Sequence, residues 1–325
     1  NMNDEFSERK LVVFDDDPTG IQTVHDCKVL TVWDEHTLEA AFSDDVPFFY
    51  ILTNIRAYPF DQAKEIIREA ASMVWKVARK MGVEIQVLAR SDSTLRSHFP
   101  LELEQFVETF ETTGPFEGII YAPALFESGR VTAGDVHYVI DGEERIPAHT
   151  TEFAKDPDFS YSSASLPEYI EEKIRNYQGK NSSRFSSVHT RDIVSISLDM
   201  IRNGGSLEIE NFLMQQNNLQ FIVVNSEDYN DLDTVTAAVR NVVAKGKRFL
   251  YHTSSSFVRS YVQQREKRID FSSSGAGPGL VIAGSYVEKT KRQVDRLLST
   301  SNVVGIEVPV AKIVDDFETE KKRVL

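Results

Sequence analysis

The chain has 325 residues, with 50 Asp and Glu against 36 Lys and Arg, a net charge of −14 and one cysteine, Cys27. That length suits roughly two domains of about 150 residues, and 41% hydrophobic beside 26% charged residues suffice for a globular core. The acidity argues against a nucleic-acid partner or an anionic membrane surface. A lone cysteine gives neither an intrachain disulfide nor a cysteine metal cluster, and no run approaches the roughly 18 apolar residues of a membrane span. With a polar N-terminus that lacks the core of a signal peptide, the expectation is a soluble, cytoplasmic protein.

Leu11–Phe14 is a short apolar run ending in Asp15, Asp16 and Asp17 and then Pro18-Thr19-Gly20, the pattern of a buried, parallel strand stopped by a turn. Val29–Val32 and Phe48–Thr53 repeat it. Between Phe60 and Gly82, Ala63, Ile66, Ile67, Ala70, Val74, Val77 and Ala78 recur at helical spacing, with Asp61 as cap and Gly82 as stop. A strand at Val83–Leu88, a helix at Leu101–Phe110 and a strand at Gly118–Ala122 follow. Asp135 to about Ser165 is polar and breaks the alternation, as a long excursion packed over the sheet edge would. Strands at Val188–Ser195, Phe221–Asn225 and Phe249–Thr253, with helices at Leu207–Gln215 and Thr234–Ala244, restore it. Residues 272–279 (SSSGAGPG) read as a linker. A strand at Leu280–Ala283, a helix from Lys289 to Leu298 and a strand at Val303–Val308 come last. The expected fold is α/β, a mostly parallel sheet flanked by helices over residues 1–271, a linker at 272–279, and the start of a second α/β domain at 280–325. About 45 residues are too few for a second doubly wound core, so a fragment of a longer protein is expected.

In open α/β sheets, ligands bind beyond the carboxyl ends of the strands, and charged residues collect there. Asp15, Asp16 and Asp17 close the first strand and need a cation, a donor-rich ligand or full solvation to coexist. Arg56 follows the third strand, and Arg90-Ser91-Asp92-Ser93 with Arg96 follows the fourth, a donor-rich turn suited to a carboxylate or phosphate. An N-cap role explains Ser93 and Thr94 equally well. Gly129-Arg130 and Thr132, then Asp135 and His137, add a further cation and a histidine near the same edge. Gly284-Ser285, with Thr290 and Gln293 on the next helix, could receive an anion, or be an ordinary strand–turn–helix cap. No zinc spacing, Walker loop or dinucleotide fingerprint is present, and no resident metal is expected. Asp15-x-Asp17-x-Thr19 also matches the nucleophile motif of haloacid-dehalogenase-like phosphatases, with Thr253, Lys321 and Asp315-Asp316 as nominal companions.

Taken in order, Asp16–Gly20, Asp92–Arg96, Gly129–Thr132, and Gly284-Ser285 with Thr290 and Gln293 resemble the four-carbon acid sugar kinase family. Ser97 stands where that family has Gly, and a glycine-rich phosphate loop has no counterpart before Leu325. The resemblance implies an N-terminal domain for a threonate- or erythronate-like acid and a C-terminal nucleotide-binding domain. It implies transfer of a phosphoryl group from ATP with Mg2+ to a terminal hydroxyl, and self-association as a homo-oligomer. It places Asp17 and Asp16 at the chemistry; Asp17, Arg56, Arg90, Ser91, Asp92, Ser93, Arg96 and Arg130 on the acid sugar; and Gly284, Ser285 and Gln293 near ATP. Two alternatives stand beside it, the phosphatase and a sugar-acid binding module without catalysis.

Overall fold

The inner strands of the main sheet carry apolar runs buried on both faces, while its two short edge strands are partly exposed, and the alternation along each inner run decides which of two cores a side chain enters. The computed structural model describes residues 9–177, 183–267, 277–285 and 287–324. They fall in two compact units, residues 1–267 and 268–325.

The first unit holds β1 (Arg9–Asp15), β2 (Lys28–Leu30), β3 (Phe48–Leu52), β4 (Glu84–Arg90) and β5 (Gly118–Ala122). After an antiparallel insertion of β6 (Arg130–Ala133), β7 (Val136–Asp141) and β8 (Glu144–Pro147), it continues with β9 (Val194–Ile196), β10 (Gln220–Val224) and β11 (Phe249–Thr253). The main sheet has the order β2-β3-β1-β4-β11-β5-β10-β9, and all its pairings are parallel. Val12 and Phe14 of β1, with Phe49, Ile51, Val87 and Ala89, face a core closed by α1 (Glu35–Phe42), α2 (Phe60–Met81), α3 (Leu101–Phe110) and α4 (Leu166–Asn176). Leu11, Val13, Phe48, Tyr50 and Leu88 face the other, closed by α5 (Gly205–Met214), α6 (Tyr229–Ala244) and α7 (Ser255–Tyr261). Among the described residues no helix is long and apolar enough to cross a membrane.

The α/β fold with a parallel sheet is therefore as expected, and the differences are local. Asp61 sits in the first turn of α2, where its charge suits the helix dipole, but the cap position belongs to Pro59. The stop at Gly82 is a left-handed residue with φ 69°, which a glycine adopts without strain. Ser93 and Thr94 do not cap a helix, because α3 begins only at Leu101, after Pro100. Val188 lies outside β9, separated from it by a 3-10 turn at Thr190–Asp192.

The second unit contains α8 (Glu288–Leu298), α9 (Val310–Asp315) and α10 (Phe317–Val324). Its two expected strands do not form among the described residues. Leu280, Ile282 and Val304 are 85–87% exposed, and an apolar run needs a neighbouring strand to pair its backbone. Residues 272–276 of the expected linker lie outside the described residues.

Candidate functional site

Parallel register lines up the strand ends. Leu52, Asp15, Arg90, Thr253 and Ala122 stand side by side across β3, β1, β4, β11 and β5, so the residues that follow them emerge on one edge. Arg90 is 2% exposed, and its Nη1 donates to Asp15 Oδ1 at 2.9 Å, Asp17 Oδ1 at 2.7 Å and Asp16 Oδ1 at 3.4 Å. Asp17 Oδ1 also accepts from Thr19 N at 2.8 Å and Thr19 Oγ1 at 2.6 Å, while Asp17 Oδ2 is paired with Arg56. Ser91 Oγ donates to Asp16 Oδ2 at 3.1 Å. Arg56 reaches across to Asp92 at 3.4 Å, and Arg96 Nε donates to Asp92 Oδ2 at 2.8 Å.

Burial and pairing pull these carboxyls apart. Burial raises Asp15 to about 7 against the opposing pull of Arg90, and burial also raises Asp16, against the pull of Arg56 and Arg90. Burial would raise Asp92 too, but Arg56 and Arg96 outweigh it and hold that carboxyl at about 2. The oxygens of Asp15, Asp16 and Asp17 lie within 4.8 Å of one another, a spacing a divalent cation could bridge. Arg90 already stands among them and Arg56 beside them, so the counter-charge is part of the chain and the triad does not fit a resident Mg2+. Gly20 serves this cluster rather than a ligand: a Cβ there would lie 2.0 Å from Asp15 Oδ2.

The antiparallel insertion holds the Asp92–Arg96 turn in place. His137 is fully buried and bridges the two: its Nε2 donates to Ser93 O at 2.7 Å and its Nδ1 accepts from Thr132 Oγ1 at 2.9 Å. Burial lowers it to about 4, so it is a neutral structural group and adds no cation to the edge. Tyr161 donates to Thr94 O at 2.9 Å and Tyr169 to Leu95 O at 2.8 Å, which secures Leu95 at φ 67°, a costly conformation for leucine. Phe153, from the same excursion, lies under two guanidiniums, 5.1 Å from Arg96 and 5.5 Å from Arg130. Arg96 also has Asp156 at 3.8 Å. Arg130 has no carboxylate partner among the described residues, and its Nε is buried without one.

The structure thus brings Asp16, Asp17, Arg56, Arg90, Ser91, Asp92, Ser93, Arg96 and Arg130 together on one edge. Gly284, Ser285 and Gln293 lie in the second unit, exposed, and Ser285 Oγ accepts from Val287 N at 3.4 Å. Their donors suit phosphate oxygens, although three exposed residues do not make a cradle. Two features have no counterpart in the sequence analysis, Phe153 and Glu102, and a third, the hydroxyls after β11, enters it only through Thr253 as a companion of the phosphatase motif. Phe153 carries no motif signal. Glu102 is 2% exposed, with both carboxylate oxygens unpartnered among the described residues; burial and the charge of Asp16 raise it to about 8. An acid two residues after His98-Phe99-Pro100, between Leu101 and Leu103, was the available signal. Thr253, Ser254 and Ser255 bring buried hydroxyls to the end of β11.

Residues 11–261, almost all of the first unit, match the family described as "Sugar-binding N-terminal domain". The chain belongs to that family. The match is consistent with the four-carbon acid sugar kinases, and the fold is shared by solved structures of a domain-of-unknown-function family (DUF1537). One, from Bordetella bronchiseptica, is a domain-swapped dimer with bound citrate; it is 17% identical with a TM-score of 0.56, over 78% of this chain and 56% of that one. A second crystal form of it aligns over 97% of this chain and 69% of that one, with the same identity and TM-score. A Haemophilus influenzae protein of the same family is 15% identical with a TM-score of 0.54, over 77% and 55%. The chain therefore spans little more than half the length of the first of these relatives. No curated protein matches it.

Proposed function

We propose that the first unit binds a four-carbon acid sugar, threonate- or erythronate-like, for phosphorylation of a terminal hydroxyl by ATP in the longer proteins of this kind. The observation that carries this reading is Arg130. The other three guanidiniums at the edge are ion-paired, whereas Arg130 sits beside Arg96 on Phe153 with no acid in ion-pairing reach among the described residues, its neighbour Asp92 being held by Arg56 and Arg96, and a ligand carboxylate would complete it. The citrate held by the Bordetella protein is also a small carboxylate anion, and its swapped dimer supports self-association here.

In this reading Arg130 and Arg96 hold the carboxylate, and Arg56 and Asp92 frame the chain of the acid. Asp17, the least buried of the triad, orients the acceptor hydroxyl. Asp16, behind it, is the better proton acceptor, since burial raises it and only Ser91 donates to its Oδ2. ATP with Mg2+ would supply the phosphoryl group, and Gly284, Ser285 and Gln293 are the residues offered to it. Asp15 makes a poor phosphatase nucleophile: it is buried, half-protonated near neutrality, and pressed between Arg90 and the backbone of Gly20. A sugar-acid module without catalysis would use the same binding residues. ATP turnover against a panel of four-carbon acids separates the two. Turnover that Asp16→Asn and Asp17→Asn abolish, with acid binding retained, supports the kinase; binding of an acid with no turnover supports the module.

A further inference from the structure

Thr253, Ser254 and Ser255 place three consecutive hydroxyls at the end of β11. They are 1%, 0% and 0% exposed, and none has a side-chain hydrogen-bond partner among the described residues. Buried hydroxyls are ordinarily paired, because leaving one unpaired opposes folding. Ser254 occupies the cap position of α7, where a serine normally accepts from the first turn, yet its Oγ takes no such bond. The next residue shows that the segment can satisfy a hydroxyl. Ser256 Oγ meets Phe126 N at 3.1 Å and the Tyr229 hydroxyl at 3.2 Å.

Their location gives the unpaired set a meaning. Thr253 stands beside Arg90 in the sheet and its carbonyl accepts from Ser91 N at 2.8 Å, so the three hydroxyls follow the strand next to the one that delivers Ser91 and Asp92. The charged groups of the edge are mostly one-way in hydrogen bonding, arginines only donating and ionised aspartates only accepting, and the hydroxyls of Ser91 and Thr19 are already given to Asp16 and Asp17. A serine or threonine hydroxyl does both, as does the hydroxyl of a sugar acid.

We propose that Thr253, Ser254 and Ser255 form a hydroxyl-reading subsite, which takes the hydroxyl-bearing carbons of the substrate while the arginines take its carboxylate. The proposal rests on the acid-sugar reading above and deepens it by assigning the residues that would read the hydroxyls of the acid. The 3-10 turn Gly20–Thr23 packs on the start of α7, with Thr23 Oγ1 donating to Ser255 O at 2.8 Å. The hydroxyls are buried as the structure stands, so a ligand reaches them only where this part of the edge opens.

The test uses the full chain, wild type and the Ser254→Ala/Ser255→Ala double variant, with Thr253→Val as a third protein. Thermal melting without ligand is combined with calorimetric titration of threonate and of 2-hydroxybutanoate, which keeps the carboxylate and one hydroxyl. The expected result is a melting temperature equal to or above wild type, because unpaired polar groups have been removed. Threonate affinity falls about tenfold or more, and 2-hydroxybutanoate affinity is unchanged. A lower melting temperature with wild-type threonate affinity would make the hydroxyls structural and overturn the proposal, as would equal weakening of both acids. If wild type binds 2-hydroxybutanoate as tightly as threonate, the subsite is wrong and the anion site survives. If it binds neither, the acid-sugar reading falls as well.

Discussion

Replacing Glu102 with Gln should reshape the pH dependence of stability in a way that follows from its burial. A carboxyl that ionises near 4.5 in an unfolded chain and near 8 in the fold binds its proton more tightly when folded. Its contribution is intact below about pH 4.5 and is lost as the pH climbs towards and through about 8. Between pH 5 and pH 8 the loss from this one group is roughly 3 kcal/mol, a large part of the 5–15 kcal/mol that holds a typical domain together. Asp15, raised to about 7, slopes the same way, whereas Asp92, held near 2, is ionised throughout this window and adds no slope. Gln keeps the shape and removes the titration. Glu102→Gln should therefore match or trail wild type at pH 5 and exceed it at pH 8. Urea unfolding at pH 5, 6, 7 and 8, followed by tryptophan fluorescence, reads this unit directly, since both tryptophans, Trp33 and Trp75, pack against its core. Parallel pH profiles for the two proteins would refute the reasoning and mean that Glu102 is ionised or solvated in the fold.

Gly20→Ala should destabilise the first unit by about 1–3 kcal/mol, since the new Cβ meets the Asp15 carboxylate at 2.0–2.4 Å and Arg90 pins that carboxylate; a fall in melting temperature of several degrees is the check. His137→Ala should cost about 1–3 kcal/mol at pH 8 by leaving Ser93 O and Thr132 unpaired, and denaturation should show a smaller loss at pH 5.5, where the wild-type histidine is protonated only in the unfolded chain and so already weakens wild type. Phe153→Leu should keep the fold but weaken binding of an acid anion in titration calorimetry by about 3–10-fold, as two guanidiniums lose the ring between them.

The sheet was legible because its strands are apolar runs closed by charged or small residues, and the helix at Phe60–Met81 because its apolar positions keep a 3.6-residue spacing. α1 and α4 were missed where polar residues dilute that spacing. Two strands were misread after Gly279, since an apolar run alone does not show whether a partner strand exists. The convergence of arginines and aspartates could be read from strand ends in one sheet, because parallel register puts those ends on one edge. Their division of labour could not. It is the three-dimensional packing that makes Arg90 the internal counter-ion of Asp15, Asp16 and Asp17, makes His137 a neutral brace, and leaves Arg130 without an ion-pairing acid among the described residues. Phe153 and Glu102 belong to no motif, and their roles arise from packing that joins distant parts of the chain.

The central claim is that a carboxylate completes Arg130, and titration of the full chain with threonate and with the neutral four-carbon polyol threitol tests it most directly. Wild type should bind threonate saturably and threitol far more weakly. Arg130→Ala should lose about tenfold to a hundredfold in threonate affinity, the worth of hydrogen bonds to a charged group, with its melting temperature close to that of wild type. Equal affinity for threonate and threitol, or threonate binding untouched by Arg130→Ala, would contradict the account.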